Sequence, residues 1–326
     1  MNRLSIEKNL LEGLLIREPI GDEQGYWVGA PGWVWDETDR AAYLCYRIRR
    51  PRGIEPDRGG EVRIAKSSNF ETFEDVWSVH KSAYESASIE KSTVKRGRDG
   101  LWRYISSYVA PEDGRWCTSI NKAKSVEALD TANTQRLFTA TEHGLEGVKD
   151  PWLIEADGKY HLFLSVAVNT AATSEDSHDT LDIFNTGECV SATALATSED
   201  LDNWDWQGVV LAPEGDTGWD KYCRRINSVL PLDGKYYAFY DGSAGHHENY
   251  EEKTGLAVSD DLRNWEVLST EGPVVLSPHA SESLRYIDAQ RNGDEIAFIY
   301  ELTRENGAHE MRMARFPADG FSLSPH

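Results

Sequence analysis

Short apolar stretches separated by polar turns recur along this chain. Two copies are clear: KDPWLIEADGKYHLFLS at residues 149–165 and INSVLPLDGKYYAFYDG at residues 226–242 each contain an apolar stretch, an Asp-Gly turn and an aromatic-rich alternating stretch. This pattern is typical of two antiparallel strands joined by a tight turn. Weaker copies occupy residues 32–48, 92–109 and 286–302. The chain is therefore predicted to consist of repeated β-hairpins.

A second phrase follows each clear hairpin. ATSEDLDNW at residues 196–204 and AVSDDLRNW at residues 257–265 share a Ser-x-Asp-Leu-x-Asn-Trp core. The phrase predicts the end of a third strand, a turn, and a fourth strand that holds the Asn-Trp pair. Trp204 and Trp265 are expected to pack between neighbouring repeats. Each repeat is thus predicted to be a unit of four strands, and the last copy is short of its fourth.

The repeats have a regular period. Ala30, Glu90 and Asp150 stand sixty residues apart just before a predicted first strand, and Arg225 and Arg285 are separated by the same interval. A polar insertion at residues 169–188 lengthens the third repeat. Units of this size and period, with little helical periodicity, predict an all-β chain folded as a five-bladed β-propeller of four-stranded antiparallel blades. A stacked solenoid is the structural alternative.

The predicted propeller is a single domain over residues 1–326. The segment before residue 29 can complete the last blade, which lacks a strand of its own. The blades are expected at about residues 29–80, 88–140, 148–213, 223–275 and 283–318.

Composition narrows the class of protein. The chain is 40% hydrophobic and 27% charged, which permits a packed core and argues against general disorder. It has no apolar stretch long enough for a membrane span, and its first residues contain no cleavage signal, so we expect a cytoplasmic protein. Four separated cysteines without a Cys-x-x-Cys pair favour buried, reduced thiols over a zinc site or disulfides. No cofactor is expected.

The charge balance bears on partners and on the host. The net charge is -21 and the pI is about 4.8, so nucleic acid and anionic membranes are improbable partners. Such an acidic surface suits a salt-loving host, although an ordinary acidic cytoplasmic enzyme is the alternative. The sequence leaves the oligomeric state open.

The Asp150-Pro151 pair that opens a predicted inner strand, together with the repeated Ser-x-Asp-Leu-x-Asn-Trp phrase, resembles a known superfamily. This is the five-bladed glycosidase superfamily of arabinanases, xylosidases, fructosidases and mannoside phosphorylases, and the resemblance runs from about Gly29 to Phe316. It implies a glycoside hydrolase acting on a small oligosaccharide or glycoside, with catalytic carboxylates where the innermost strands begin. Arabinanase-like members carry an Asp where this chain has Ala30. A non-catalytic carbohydrate-binding propeller and a phosphorylase or lyase therefore remain alternatives.

Glu90 and Asp150 are the predicted catalytic pair. Glycoside cleavage needs one carboxyl to protonate the leaving oxygen and another to activate water or stabilise the oxocarbenium-like centre. By resemblance, the Asp of the Asp-Pro motif holds sugar hydroxyls and tunes the pKa of the acid, which leaves Glu90 as general acid or nucleophile. Arg225 and Arg285 carry guanidinium forks that suit a uronic acid or a phosphate co-substrate. Alternatively, they hold the two carboxylates in place.

Further residues are predicted to bind the carbohydrate substrate. Lys91 adjoins Glu90, and the Gly-flanked loop at residues 242–255 contains His246 and Glu252. A pair of neighbouring histidines without a third ligand is weak support for a metal, so no metal site is predicted. Trp33 can stack on a sugar ring or pack in the core.

Overall fold

The computed structural model of the protein describes residues 4–279 and 281–323. This part of the chain consists mainly of β-strands, with one short α-helix, α1 (Glu7–Leu11). The strands are β1 (Leu14–Arg17), β2 (Trp27–Asp36), β3 (Ala41–Arg50), β4 (Arg58–Ser67), β5 (Glu74–His80), β6 (Thr93–Arg96), β7 (Trp102–Val109), β8 (Trp116–Ala123), β9 (Gln135–Phe138), β10 (Gly147–Ala156), β11 (Lys159–Asn169), β12 (Cys189–Ser198), β13 (Asp205–Leu211), β14 (Cys223–Leu232), β15 (Lys235–Ser243), β16 (Lys253–Ser259), β17 (Glu266–Val267), β18 (Leu284–Asn292), β19 (Glu295–Thr303) and β20 (His309–Pro317). Short 3-10 helices occupy Lys81–Tyr84, Val126–Ala128, Thr131–Asn133, Thr141–His143, Glu175–His178, Ile183–Asn185 and His246–Glu248.

Within each successive group of strands, neighbours in sequence pair antiparallel, which confirms the all-β antiparallel prediction, and single parallel bridges link β12 to β14 and β2 to β20. Across residues 4–279 and 281–323 the pairings form successive groups: β2 to β5, β6 to β9, β10 to β13, β14 to β17, and β18 to β20. β1 pairs antiparallel with β20, so the N-terminal segment lies along the outer edge of the last group.

The first strands of the groups follow one another in a closed order. β2 contacts β6, β6 contacts β10, β10 contacts β14, β14 contacts β18, and β18 contacts β2. The starts of these strands carry residues that are far apart in the sequence. The closed order therefore brings those residues to a common centre.

The repeated Ser-x-Asp-Leu phrase forms a hydrogen-bonded turn. Ser198 Oγ accepts the N–H of Leu201 at 2.9 Å, and Ser259 Oγ accepts that of Leu262 at 3.0 Å. Both leucines adopt a left-handed backbone, with φ of 67° and 64°. A further copy begins at Ser67, whose Oγ accepts the N–H of the residue three positions on at 2.9 Å. Each copy ends a third strand and redirects the chain toward the fourth.

Aromatic side chains fill the space between neighbouring groups. Trp265, at the end of the turn in the fourth group, lies edge-on to Phe163 of the third group at 6.0 Å between ring centroids. Trp204 of the third group packs against a cluster that includes Ile105 and Phe138 of the second. Both tryptophans therefore pack between repeats, as the sequence predicts.

Other expectations concern cysteines and membranes. All four cysteines are buried free thiols, and burial raises the pKa of Cys45. Within the described residues, no helix combines the length and the apolar character that crossing a bilayer demands. The described residues also contain no cluster of three or more His, Cys, Asp or Glu side chains suited to a metal ion.

Candidate functional site

The first strands share a distortion where they begin. A β-bulge interrupts β2, β10 and β18, and at each bulge one residue adopts a left-handed backbone. These residues are Ala30, Asp150 and Tyr286, with φ of 51°, 52° and 53°. A left-handed residue other than glycine costs on the order of 1–2 kcal/mol, so its repetition marks a geometry that the fold imposes.

The strand pairing corrects the expected alignment of the last two repeats. Arg225 pairs with Asp241 and Arg285 pairs with Glu301, as Lys149 pairs with Ser165. Both arginines are therefore equivalent to Lys149, and Tyr286 is the residue equivalent to Asp150. The expected alignment misplaces both arginines by one position because the chain between the third and fourth repeats is longer than the period.

The N–H groups of the three left-handed residues are bound by the preceding group in the ring. In each case the acceptor is a buried side chain on a second strand. The bonds are Ala30 N to Glu301 Oε2 (3.1 Å), Asp150 N to Ser107 Oγ (3.2 Å) and Tyr286 N to Asp241 Oδ1 (3.0 Å). These bonds fix the start of each of these first strands to the second strand of the preceding group.

A buried chain of ion pairs lies at this centre. Among the described residues it alternates four guanidiniums with three carboxylates. In order, its members are Arg49, Glu90, Arg47, Glu301, Arg285, Glu252 and Arg225. All seven are buried. Because isolated charges are costly to bury, this arrangement requires each carboxylate to stay paired.

Glu90 sits between two guanidiniums. Its Oε1 accepts from Arg49 Nη1 at 2.7 Å, and its Oε2 lies 2.8 Å from Arg47 Nε. Burial raises the pKa of Glu90, but the charges of Arg47 and Arg49 outweigh burial and bring it below its usual value. Glu90 is therefore an ionised carboxylate at neutral pH and is unsuited to donate a proton.

The other two glutamates are also held ionised. Glu252 accepts from Arg225 and Arg285, and these charges lower its pKa against the effect of burial. Glu301 accepts from Arg285 Nη2 at 2.7 Å and from Arg47 Nη2 at 2.9 Å, and its pKa is lowered in the same way.

Asp150 is partnered less completely. Tyr286 Oη–H donates to its Oδ2 at 3.4 Å, and Lys149 Nζ lies 3.7 Å from the same oxygen. Its Oδ1 is buried and has no hydrogen-bond partner among the described residues. A buried carboxylate oxygen without a partner requires an explanation, and a ligand or a water that donates to it is the simplest one.

Several predicted site residues do not line the cavity at this centre. Lys91 Nζ donates to the carbonyl of Asn227 at 2.9 Å and lies 5.7 Å from the centre of the Tyr286 ring, and burial lowers its pKa. Trp33 is in the core, where its Nε1 donates to the carbonyl of Asp288 at 3.1 Å. His246 does not line the cavity. Trp33 and Lys91 thus occupy supporting positions.

The cavity at the centre is nearly closed, with a volume of about 10 Å³, about what one water molecule needs. A sugar ring does not fit this space. Its lining consists of Arg47, Arg49, Glu90, Lys149, Arg225, Asn249, Tyr250, Glu252, Arg285 and Tyr286.

Two loops meet beside the cavity, and we call them the cover: residues 181–186 of the polar insertion and residues 246–252, of which Asn249, Tyr250 and Glu252 line the cavity. Tyr250 Oη–H donates to Asp182 Oδ2 at 2.6 Å, and Asn249 Nδ2 donates to Asn185 Oδ1 at 2.5 Å. The Arg49 guanidinium lies 4.4 Å from the centre of the Tyr250 ring. These contacts join the two loops and hold the Tyr250 ring against the ion-pair chain.

The sequence predicts the part of the cover in the loop at residues 242–255, but it does not predict Arg47, Arg49, Glu301 or the part of the cover at residues 181–186. Arg47 and Arg49 alternate within an otherwise apolar strand, and Glu301 interrupts the apolar run IAFIYELT. A charged residue inside a buried strand is unusual unless it is paired. That signal was present in the sequence, whereas the pairing between distant repeats was not.

Solved structures with a similar fold include a thermostable family-43 glycoside hydrolase, with 14% sequence identity and a TM-score of 0.64 over 95% of this chain and 98% of that one. The GH43_1 enzyme from Xanthomonas citri complexed with xylotriose has 12% identity and a TM-score of 0.63, over 96% and 94% of the two chains. A β-1,2-mannobiose phosphorylase from Listeria innocua has 13% identity and a TM-score of 0.59, over 97% of each chain. The resemblance to this superfamily is confirmed at the level of the fold.

No family model matches the sequence, and no curated protein sequence matches it.

Proposed function

We propose that the chain is a single five-bladed β-propeller that hydrolyses a glycosidic bond in the central cavity. The closed order of first strands supports the five blades, and the glycoside hydrolases and phosphorylases of similar fold support carbohydrate chemistry. The observation that carries the proposal is Asp150, which presents a buried, unpartnered carboxylate oxygen at the start of an inner strand. Asp150 is not among the residues that line the cavity, but its neighbours Lys149 and Tyr286 are, so a sugar in an enlarged cavity can reach this oxygen.

The two carboxylates take different roles in this proposal. Glu90 remains ionised and faces the positive anomeric carbon, as nucleophile or as electrostatic stabiliser. Its pairing with Arg47 and Arg49 argues against the general-acid role. Asp150 is the proton donor to the leaving oxygen, through Oδ1. Water then adds to the anomeric carbon, and the proton that it loses restores the acid.

A second candidate is a carbohydrate-binding propeller without catalysis. Ala30 favours it, because the position where related enzymes carry an Asp has no ionisable group in this chain. The glutamates of the ion-pair chain are all held by guanidiniums. A protein of this kind binds a sugar and releases no product.

The two candidates are separated by a screen of nitrophenyl glycosides and oligosaccharides, at low and at multimolar salt. For the enzyme, Glu90→Gln and Asp150→Asn should each lower kcat/KM by roughly 10²–10⁴-fold. Asp157→Asn is the matched control, because it makes the same change at the hairpin turn of the same strand pair. Its activity should equal that of the unsubstituted protein.

Sugar binding without any product would favour the second candidate. Product release that needs added phosphate would indicate a phosphorylase. Equal activity in Glu90→Gln, Asp150→Asn and the control would refute the assignment of both carboxylates.

A further inference from the structure

The charged groups that line the central cavity are mainly cationic. The cations are Arg47, Arg49, Lys149, Arg225 and Arg285, and the carboxylates are Glu90 and Glu252. Glu301 pairs with Arg47 and Arg285 behind the lining, and Asp150 lies 3.7 Å from Lys149 Nζ, so neighbouring carboxylates offset part of this charge. The charged groups that line the cavity are nonetheless mainly cationic, in a chain whose net charge is -21.

Two of these guanidiniums have donors without acceptors. Arg47 Nη1 and Arg225 Nε are buried and have no hydrogen-bond partner in the described part of the chain. Arginine has donors only, so these atoms need an acceptor, and an oxyanion is the strongest one. Both arginines line the same cavity.

The cover already supplies one carboxylate to this region. Asp182 accepts from Trp116 Nε1 at 3.1 Å and lies 3.5 Å from Arg58 Nη2. Burial raises the pKa of Asp182, but the charges of Lys149 and Arg58 outweigh burial and lower it to about 2. Lys149 therefore lies in the field of one buried carboxylate, and a second carboxylate from a ligand suits the same cationic wall.

From these contacts we infer that the cavity binds a sugar that carries a carboxylate, a uronic acid, with the carboxylate on the side of Arg47, Lys149 and Arg225. The inference rests on the proposed function, since it names the class of substrate for the same cavity. Inorganic phosphate offers similar oxygens, but it would be a co-substrate and not part of the sugar.

The test compares matched pairs of nitrophenyl glycosides that differ only in the carboxylate: glucuronide with glucoside, and galacturonide with galactoside. We expect the acidic member of one pair to have kcat/KM about ten- to hundredfold higher, the range expected for a charge-assisted hydrogen bond. Binding of each compound is measured separately by calorimetry with Asp150→Asn, so that affinity is known even where turnover is slow.

Lys149→Met tests the charge with little change of shape, because the Lys149 side chain already lies 4.8 Å from the Trp116 ring and 4.7 Å from the Phe184 ring. We expect it to lower kcat/KM for the acidic sugar more than for the neutral one, so that the preference for the acidic sugar is lost, whatever change the loss of the charge beside Asp150 causes on both substrates. Lys149→Arg should retain the preference. Lys235→Met, an exposed lysine paired with Asp260, is the control and should behave as the unsubstituted protein.

The outcomes separate this inference from the proposed function. Equal cleavage of acidic and neutral glycosides, or an unchanged preference in Lys149→Met, overturns the inference that the substrate is a uronic acid. The proposal that the protein is a glycoside hydrolase is then unaffected. Cleavage of neutral glycosides only when inorganic phosphate is added also overturns the inference of a uronic acid, because the oxyanion is then phosphate. Failure to bind or cleave any glycoside overturns the proposed function and this inference together.

Discussion

The cover should control access to the cavity, and Tyr250→Phe tests this with the loss of one oxygen atom. Tyr250 Oη–H donates to the carboxylate of Asp182 at 2.6 Å and thereby joins the two loops. Phe keeps the ring that lies against Arg49 and Trp27. The substitution therefore removes the bonds that Tyr250 Oη makes with Asp182 and Asn185, keeps the bond from Asn249 Nδ2 to Asn185 Oδ1, and leaves the packing of the ring in place.

The size of the effect follows from the bonds that remain. A hydrogen bond to a charged group contributes about 1.5–3 kcal/mol. In Tyr250→Phe, Asp182 keeps the hydrogen bond from Trp116 Nε1 to its Oδ1 at 3.1 Å and the ion pair with Arg58 at 3.5 Å. The free energy lost from the closed state should therefore lie near the lower limit of this range. About 1.5 kcal/mol corresponds to roughly a tenfold shift from the closed toward the open state.

Hydrogen exchange read by mass spectrometry measures this shift directly. Peptides that contain residues 181–186 and 249–252 should exchange about tenfold faster in Tyr250→Phe, while peptides from β11 keep their rate. Tyr236→Phe, at the outer hairpin of β14 and β15, is the control and should leave both segments unchanged. Unchanged exchange in Tyr250→Phe, or an equal increase in the control, would refute the closed cover.

The remaining predictions concern the ion-pair chain. Glu301→Gln removes the carboxylate charge that Arg47 and Arg285 share and leaves both guanidiniums buried. It should lower the free energy of unfolding by about 3–5 kcal/mol in urea titrations. Glu295→Gln, at the exposed end of the same strand, should change it little, and equal losses would contradict the role of the chain. The pKa values of Glu90 and Glu301 lie below the value of about 4.3 in an unfolded chain. Their contribution to stability is therefore complete above about pH 5 and lost as the pH falls toward the folded pKa values, and stability that stays constant from pH 7 to pH 3 would contradict this.

The repeat was predictable because each unit uses the same local turns between its strands. Asp-Gly turns and the Ser-x-Asp-Leu phrase specify their own backbone, and the structure forms both where the sequence predicts them. The copy at Ser67 is weaker in sequence because Asn69 and Phe70 replace Asp and Leu. Asn69 Oδ1 still accepts the N–H groups of Glu71 and Thr72, as the Asp carboxylates do at the same positions of the other copies.

The site was predictable only in part because it depends on contacts between repeats. The interval of the repeat places Glu90 and Asp150 at strand starts, but it does not show that Glu90 is held between two arginines of another group. The one-residue shift that makes Tyr286 the equivalent of Asp150 depends on the bulge, which no local pattern specifies. The polar insertion carries Asp182, a buried carboxylate beside Arg58 and Lys149, and the polar sequence around it does not indicate this burial.

The central claim is that a glycoside occupies the cavity between Glu90 and Asp150, and a crystal structure of Glu90→Gln with a bound oligosaccharide tests it most directly. We predict a sugar ring in a cavity whose cover has opened, with a hydroxyl or the glycosidic oxygen within hydrogen-bonding distance of Asp150 Oδ1. A sugar bound elsewhere, for example in the groove beside Tyr236 and Phe321, with the central cavity still closed, would contradict the account.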